Sequence, residues 1–583
     1  MIFLKNIISS ALGLVVGVFW LIILGLVIGF SVGRNNNTQV EKNSFLKLEL
    51  NSAVKDYAPL EMDALAQLFG FPPKNVGLNE ILAAIGSAKY DDRIQGISIE
   101  GLGPNAGISQ LSAIRNAIVE FKKSGKPVFA YSDSFSQKQY YVSSVADSVF
   151  VSPVGQVEVK GLSSELLFFK DFQDKYGVKM EVIRHGKYKS AVEPFIANKM
   201  SESNRIQIKE LLSSLWSDIV SEISLSRGIS VTEINTVADG LLGRTANMSL
   251  HNSLIDGVVY KDEYKKKIES ILGVDNYKTT SLMNYIMSEN NFDFEEGNED
   301  SKIAVIYAQG EIIYGEGNED KIGQRMMVKA IERAIRNKEV KALVLRINSP
   351  GGSALASDLI WRALEVAKNK KPLVVSMGDY AASGGYYIAC NADKIYAEST
   401  TITGSIGVFG MLPNASVLAS RLGVHSERVS TNNSASYSPF MKLDPEFYQV
   451  TKEGVDMVYK TFVSRVAEGR GVSYESVHAL AQGRVWSGRQ ALKNGLIDAV
   501  GSLEDAIDAA AEMTELKRYK IENYPNYEKD IRDSFRGISF LKIEENLIQE
   551  WFGDRNYILF KQLNSLKNKE GIQMRMPYVL DIN

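Results

Sequence analysis

A serine among small residues, a paired-glycine turn and a distant lysine are the parts of this chain that could do chemistry. Ser383 stands between Ala381-Ala382 and Gly384-Gly385, after a strand-like run at 373–377 and at the start of a helical one. Small neighbours on both sides let a substrate approach the hydroxyl, and the Gly384 N–H opens the helix. The same setting suits an ordinary N-cap, whose hydroxyl would accept from the first helical turn. Upstream, a strand-like run at 342–347 leads into Asn348-Ser349-Pro350-Gly351-Gly352-Ser353. Two glycines at a strand-to-helix junction can turn backbone N–H groups toward an anion or a developing oxyanion. A phosphate loop does not fit, because no Gly-Lys-Ser/Thr follows. Taken together, turn and serine point to nucleophilic catalysis.

A serine nucleophile needs a base. His425 and His478 are the only histidines in the second half, and His425 lies in a charged stretch, 421–428, that suits a surface. A lysine is the alternative, as in Ser–Lys variants of the triad. The candidates are Lys187 and Lys189, in Gly186-Lys187-Tyr188-Lys189-Ser190-Ala191-Val192-Glu193-Pro194-Phe195. Either could equally be a solvated loop charge. A lysine serves as base near neutral pH only if burial lowers its pKa.

The elements that would position these residues occur twice. Ile85, Pro104, Tyr140-Tyr141 and Asp147 align with Ile331, Pro350, Tyr386-Tyr387 and Asp393 at an offset of 246, and Asn252-Ser253-Leu254-Ile255-Asp256 answers Asn494-Gly495-Leu496-Ile497-Asp498. So long a period marks a duplicated domain rather than a solenoid. Only the second copy carries the paired glycines and Ser383. Conversely, Lys189 aligns with Ser434, so the lysine belongs to the first copy alone. Strand patterns at 45–50, 96–99 and 127–131 alternate with helical patterns at 78–88 and 108–122. In the second copy, strands at 303–307, 342–347 and 373–377 alternate with helices at 326–335, 354–367 and 384–390. Such alternation predicts mostly parallel sheets.

Residues 1–44 form an anchor and tether, 45–287 the first unit, 288–301 an acidic linker, 302–515 the second unit and 516–583 an extension. Residues 538–551 of that extension could form an amphipathic docking helix. From Ile7 to Gly33 the chain carries no charge. That exceeds the ~20 helical residues needed to span a bilayer core, and no clear Ala-x-Ala cleavage site follows. An uncleaved single-span anchor is the expectation, and the flanking charges hardly decide its orientation. The 583 residues include 45% hydrophobic and 23% charged side chains, with a net charge of −3. This balance argues against nucleic acid as the main partner. The single cysteine, Cys390, excludes an intrachain disulfide, and four histidines argue against a histidine metal cluster.

The strings Tyr188–Phe195, Asn348–Ser353, Tyr380-Ala381-Ala382-Ser383-Gly384-Gly385-Tyr386 and Thr403-Gly404-Ser405-Ile406-Gly407 resemble the long, duplicated form of the bacterial signal peptide peptidase (protease IV) family. The likeness runs from the anchor to about residue 515. It implies an α/β fold of tandem duplicated Clp/crotonase-like domains with mostly parallel sheets, preceded by a transmembrane helix. It further implies Ser383 as nucleophile, Lys189 as general base, the N–H groups of Gly352 and Gly384 as oxyanion hole, and Ser405 as the group orienting the lysine. No metal or cofactor is implied. The catalytic domains would face the periplasm from the bacterial cytoplasmic membrane, in a homo-oligomer that the resemblance implies to be a tetramer.

Its substrates would be released signal peptides or, alternatively, unfolded apolar segments of envelope proteins. A crotonase-like acyl-CoA enzyme and an inactive scaffold are the readings from other classes, and the Ser–Lys pair separates the first reading from both. A peptide crossing Ser383 could add a strand beside Gly351-Gly352 through sequence-blind main-chain bonds. Side-chain selection would then fall to an apolar P1 pocket, expected at Tyr380, Tyr386, Ile406, Val408 and Phe409.

Overall fold

The computed structural model describes residues 40–50, 52–58, 75–102, 105–288, 301–432, 437–527 and 572–576, with isolated positions 13, 17 and 20. Apart from those positions, the expected membrane span at 7–33 lies outside the described residues, as do 538–551 and most of the acidic linker. Among the described residues, no helix is long and apolar enough to cross a membrane.

Two parallel sheets follow the two copies. The first runs in the order Gly257–Val258, Ser148–Val151, Val128–Ser132, Ile94–Leu102, Ser44–Leu50, Lys278–Ser281, with every pairing parallel. The second has Val485–Ser487, Ile402–Gly404, Leu373–Ala382, Val340–Ser349, Lys302–Gln309 and Lys520–Tyr524 as its main path. Only the pairing of Ile402–Gly404 with Val485–Ser487 along that path is antiparallel. Its central strands are continuous apolar runs because both faces are covered. Ile303, Val305 and Tyr307 pack with Ala506, Ile507 and Ala510 of the helix Leu503–Met513. The alternate residues Ala304, Ile306 and Ala308 face the larger core on the other side. In the first copy, Phe45, Phe129 and Tyr131 pack in the same way against Tyr264 and Ile268.

The duplication extends to single hydrogen bonds. The Val128 N–H donates to Asp147 and the Leu373 N–H to Asp393, both at 2.8 Å. Tyr140 donates its hydroxyl to the Leu254 carbonyl at 2.8 Å, and Tyr386 to that of Leu496 at 2.7 Å.

A third, mixed sheet joins the halves, which a reading of two consecutive units does not foresee. Its order is Lys321–Gly323, Glu311–Ile313, Gly351–Ser353, Ile572–Arg575, Val408–Asn414, Lys179–His185. Lys179–His185 belongs to the first copy and runs antiparallel to Val408–Asn414 of the second, with His185 opposite Val408. The stretch beyond 515, expected as an extension, supplies strands to two sheets.

Buried polar groups form a second seam. The Arg346 guanidinium donates to Asp56 at 2.7 Å and to Ser376 at 2.8 Å, and all but 1% of the arginine is buried. Gln110 donates to Asp56 and the Ser109 N–H to Asp379, each at 2.8 Å. Such charges persist in a core only when each has a partner. Arg346 and Asp379 lie on the strands Val340–Ser349 and Leu373–Ala382, which lead into Gly351 and Ser383, so the seam fixes both strands against the first copy.

Candidate active site

Ser383 ends the strand Leu373–Ala382 with φ 57° and ψ −114°, a left-handed conformation rare for a residue with a side chain. Such a conformation costs on the order of 1–3 kcal/mol and persists only where the surroundings impose it. Here the Ser383 N–H donates to the Gly404 carbonyl at 2.8 Å, while the Tyr387 N–H takes the Ser383 carbonyl at 2.8 Å and starts the helix. The side chain makes no capping bond, so the N-cap alternative falls. Its Oγ instead stands 2.7 Å from Lys189 Nζ.

Register brings the lysine there. With His185 opposite Val408, the turn after His185 runs alongside residues 405–407. The Tyr188 N–H donates to the Gln482 carbonyl at 2.9 Å, and Gln207 donates to the Tyr188 carbonyl at 3.1 Å. Beyond the lysine, Glu193 is buried and accepts from Ser201 and Asn204, which pins the following turn. Lys187, the other candidate base, instead has its ammonium over the ring of Tyr188.

Lys189 has no solvent exposure, and burial holds its amine well below the ordinary lysine value. A neutral amine has two N–H donors and one lone pair. Lys189 Nζ has the matching partners: Ser405 O and Ser405 Oγ, each at 3.0 Å, and the Ser383 hydroxyl. A neutral amine that donated both N–H groups to Ser405 would leave its lone pair facing the Ser383 O–H. Ser405 is itself held at φ 52°, its N–H on the Arg484 carbonyl at 2.7 Å.

Gly352 admits only glycine, because a methyl group there would lie 2.0 Å from the Ile312 carbonyl oxygen. Gly351 has φ +95°, and a methyl on it would fall 2.8 Å from the Gly384 nitrogen. The two backbones are thus close enough to aim N–H groups at one point near Ser383. The histidines are elsewhere: His185 is on Asp456, His478 on the Tyr459 hydroxyl, and His251 and His425 are exposed.

The residues expected to line a P1 pocket are placed as follows. Tyr386 is fully buried, and its bond to Leu496 is the counterpart of Tyr140 with Leu254 in the copy that has no serine. A contact present in both copies serves the fold. Ile406 and Val408 are likewise fully buried in the main core. Phe409 packs with Val192 and Met411. Tyr380, half-buried, borders a cluster that contains Ala382, Leu211, Leu215 and Met576.

Sequence reasoning missed Gln207, Gly483 and the strand Ile572–Arg575. Gln207 carries no signal, being one polar residue in a long amphipathic helix. The strand did offer one, since Ile572-Gln573-Met574-Arg575-Met576 alternates apolar with polar. Gly483 has φ +84°, and a methyl on it would meet the Lys189 backbone nitrogen and Cβ at 2.6 Å. Gly483→Ala should therefore displace the lysine and cut kcat/KM by about a hundredfold or more, the usual penalty of an ångström-scale misplacement. Steady-state assays beside circular dichroism check this, and unchanged kinetics would show that the lysine has room to move.

The model of peptidase family S49 matches residues 120–275 and 365–517. That of the Clp protease family matches 295–403. Protease 4 of Haemophilus influenzae is 34% identical over 575 residues, covering 96% of this chain and 89% of that protein. Protease 4 of Salmonella typhi is 36% identical over 541 residues, covering 89% and 86%. The chloroplastic serine protease SPPA of Arabidopsis thaliana is 30% identical over 480 residues, covering 81% and 69%.

Proposed function

The chain belongs to peptidase family S49 and is a serine peptidase, and from that premise we propose that Ser383 is its nucleophile and Lys189 its general base. The observation that carries this reading is a fully buried lysine amine 2.7 Å from the hydroxyl of a serine held at positive φ. Neutral Lys189 takes the Ser383 proton as Oγ attacks the peptide carbonyl. The Gly352 and Gly384 N–H groups stabilise the resulting oxyanion. The lysine then delivers its proton to the departing amine, leaving an acyl-Ser383 ester. Water, deprotonated by the same amine, hydrolyses the ester. Ser405 holds Nζ so that its lone pair stays on the serine.

The substrates we propose are extended apolar peptides, foremost signal peptides after their release. The segment 7–33 would anchor the enzyme in the bacterial cytoplasmic membrane, with the catalytic part on the envelope side as a homo-oligomer, a tetramer in our reading. A crotonase-type acyl-CoA reaction has no use for a neutral buried lysine on a serine. An inactive scaffold would not need to keep the pair.

A fluorophosphonate should label the full chain on the peptide that contains Ser383 and leave Ser383→Ala unlabelled. Label on another serine, or none on active protein, sinks the assignment. In a peptide library, cleavage should follow Leu, Ala, Met or Phe and avoid Asp and Glu, because a buried carboxylate would be desolvated without a partner. Apolar pockets discriminate by only about 1–3 kcal/mol per methylene, so the preference should be broad. A dominant acidic or basic P1 residue would refute the apolar pocket. Uniform cleavage of any unfolded apolar segment would favour a general envelope protease.

A further inference from the structure

We propose that Gln207 is a positioning residue for this reaction: its single buried amide ties the turn that carries Lys189 to the segment that holds Ser405. The inference rests on the Ser383–Lys189 reading and goes past it by assigning a role to a residue outside the pair.

Gln207 lies near the start of the helix Glu202–Arg227 in the first copy, and only 1% of it is exposed. Its Nε2 is 3.1 Å from the Tyr188 carbonyl oxygen, 3.1 Å from Ser190 Oγ and 3.0 Å from Asn204 Oδ1. The first two acceptors flank Lys189 in the chain. On the other side of the amide, Oε1 accepts from the Val485 N–H at 3.3 Å. These neighbours fix which way the amide points, because the Tyr188 carbonyl can only accept and the Val485 N–H can only donate.

Val485 belongs to the backbone that frames the serines. It stands opposite Gly404 in an antiparallel pair. The Gly404 carbonyl takes the Ser383 N–H at 2.8 Å, and the Arg484 carbonyl takes the Ser405 N–H at 2.7 Å. The Gln482 carbonyl accepts from the Tyr188 N–H at 2.9 Å. Segment 482–485 thus has the lysine turn on one edge and the two serine turns on the other. Tyr188 is gripped twice, by Gln482 at its N–H and by Gln207 at its carbonyl. The same helix meets the second copy again, with Ser214 Oγ 2.7 Å from Ser487 Oγ and Arg489 donating to Asp218 at 2.8 Å.

What the bridge protects is the dryness of the amine. Burial holds Lys189 below the ordinary lysine value. The charged groups around it are engaged elsewhere. Arg184 donates to the Lys189 carbonyl at 3.4 Å and lies 3.9 Å from Glu193, which accepts from Ser201 and Asn204. Lys187 stands over the Tyr188 ring, and Arg484 pairs with Glu210. Without the Gln207 amide, the Tyr188 carbonyl and the Val485 N–H would be buried without that partner. Such groups draw in water or move until they find one. Either response wets or displaces Nζ.

Hydrolysis of an apolar peptide by the full chain in detergent, followed across pH, tests this. Gln207→Met has a similar length and no amide. It should lower kcat by about a hundredfold, the usual penalty of an ångström-scale misplacement. KM should change little, because Gln207 is buried and makes no contact open to a substrate. The acid limb of kcat/KM should move up by about one pH unit or more, since a hydrated amine regains its proton. Ser214→Ala, which removes a bond between the same helix and the second copy, should leave that limb in place. Where Gln207→Met yields no folded protein, Gln207→Asn, one methylene too short to span both segments, should show the same shift. A lower kcat with an unmoved acid limb makes Gln207 merely structural and overturns the inference, as do unaltered kinetics. An equal shift in Ser214→Ala overturns it too, by assigning the effect to the helix as a whole. Activity retained by Lys189→Met in the same assay brings down the Ser–Lys reading, and this inference with it. A lysine-dependent acid limb that the Gln207 variants share with the unaltered enzyme brings down this inference alone.

Discussion

Ser383→Ala should lower kcat for peptide hydrolysis by about a millionfold and leave the fold in place. In serine proteases, loss of the nucleophile alone costs about as much as loss of the whole triad, since the groups act as a unit. The variant removes one oxygen from a small-residue turn whose strain is imposed by backbone bonds, the Ser383 N–H on Gly404 and the Tyr387 N–H on the Ser383 carbonyl. Those bonds survive the change. A residual rate above that of water is expected, because the Gly352 and Gly384 N–H groups proposed as oxyanion donors would remain. Hydrolysis of an apolar peptide, with circular dichroism beside it, checks both halves. A variant within tenfold of the unaltered enzyme would mean that another group attacks.

Lys189→Met should abolish activity to a similar degree and change how stability depends on pH. On the proposed mechanism the amine must be unprotonated, and burial places its pKa well below the ordinary value. The rate should therefore rise with pH through that lowered value and already be high where free lysines remain charged. Linkage gives the sign for stability. Between the lowered pKa and the ordinary lysine value of 10.5, the unfolded chain holds a proton that the folded one lacks. Stability then rises with pH across this window. Methionine cannot titrate, so this part of the slope should vanish. Urea midpoints of both proteins at neutral and alkaline pH read the difference directly. The variant's advantage, largest near neutrality, should shrink as pH rises. A parallel pH dependence in the two proteins would show that Lys189 is charged in the folded state.

Much of the second copy was legible because its elements obey local rules. The run at 342–347 is apolar at nearly every position, which suits a strand covered on both faces, and the structure extends it to Val340–Ser349. The helix expected at 354–367 is observed as Ala354–Lys368. The orientation of the residues expected to line the pocket was not legible in the same way. Tyr386 and Ile406 are near Ser383 in sequence, but side chains on a short buried helix and an inner loop point into the core as readily as toward a ligand. Which way each points is a matter of packing against Leu496 and Gly483, and those partners lie far along the chain.

The sequence by itself determined the chemistry available: one serine among small residues, paired glycines at a strand end, and a lysine in the copy that lacks the serine. Those are matters of residue type and local spacing, and local spacing survives folding. Only the tertiary structure decided that Lys189 is dry, that its Nζ meets Ser383 Oγ at 2.7 Å, and that Ser405 takes its two N–H groups. The reason is physical: a lysine's pKa depends on what excludes water from it. Here that exclusion comes from an antiparallel pairing between copies and from Gly483 pressed against the Lys189 backbone. Each is a contact between residues hundreds of positions apart, set by register and packing that no local window contains.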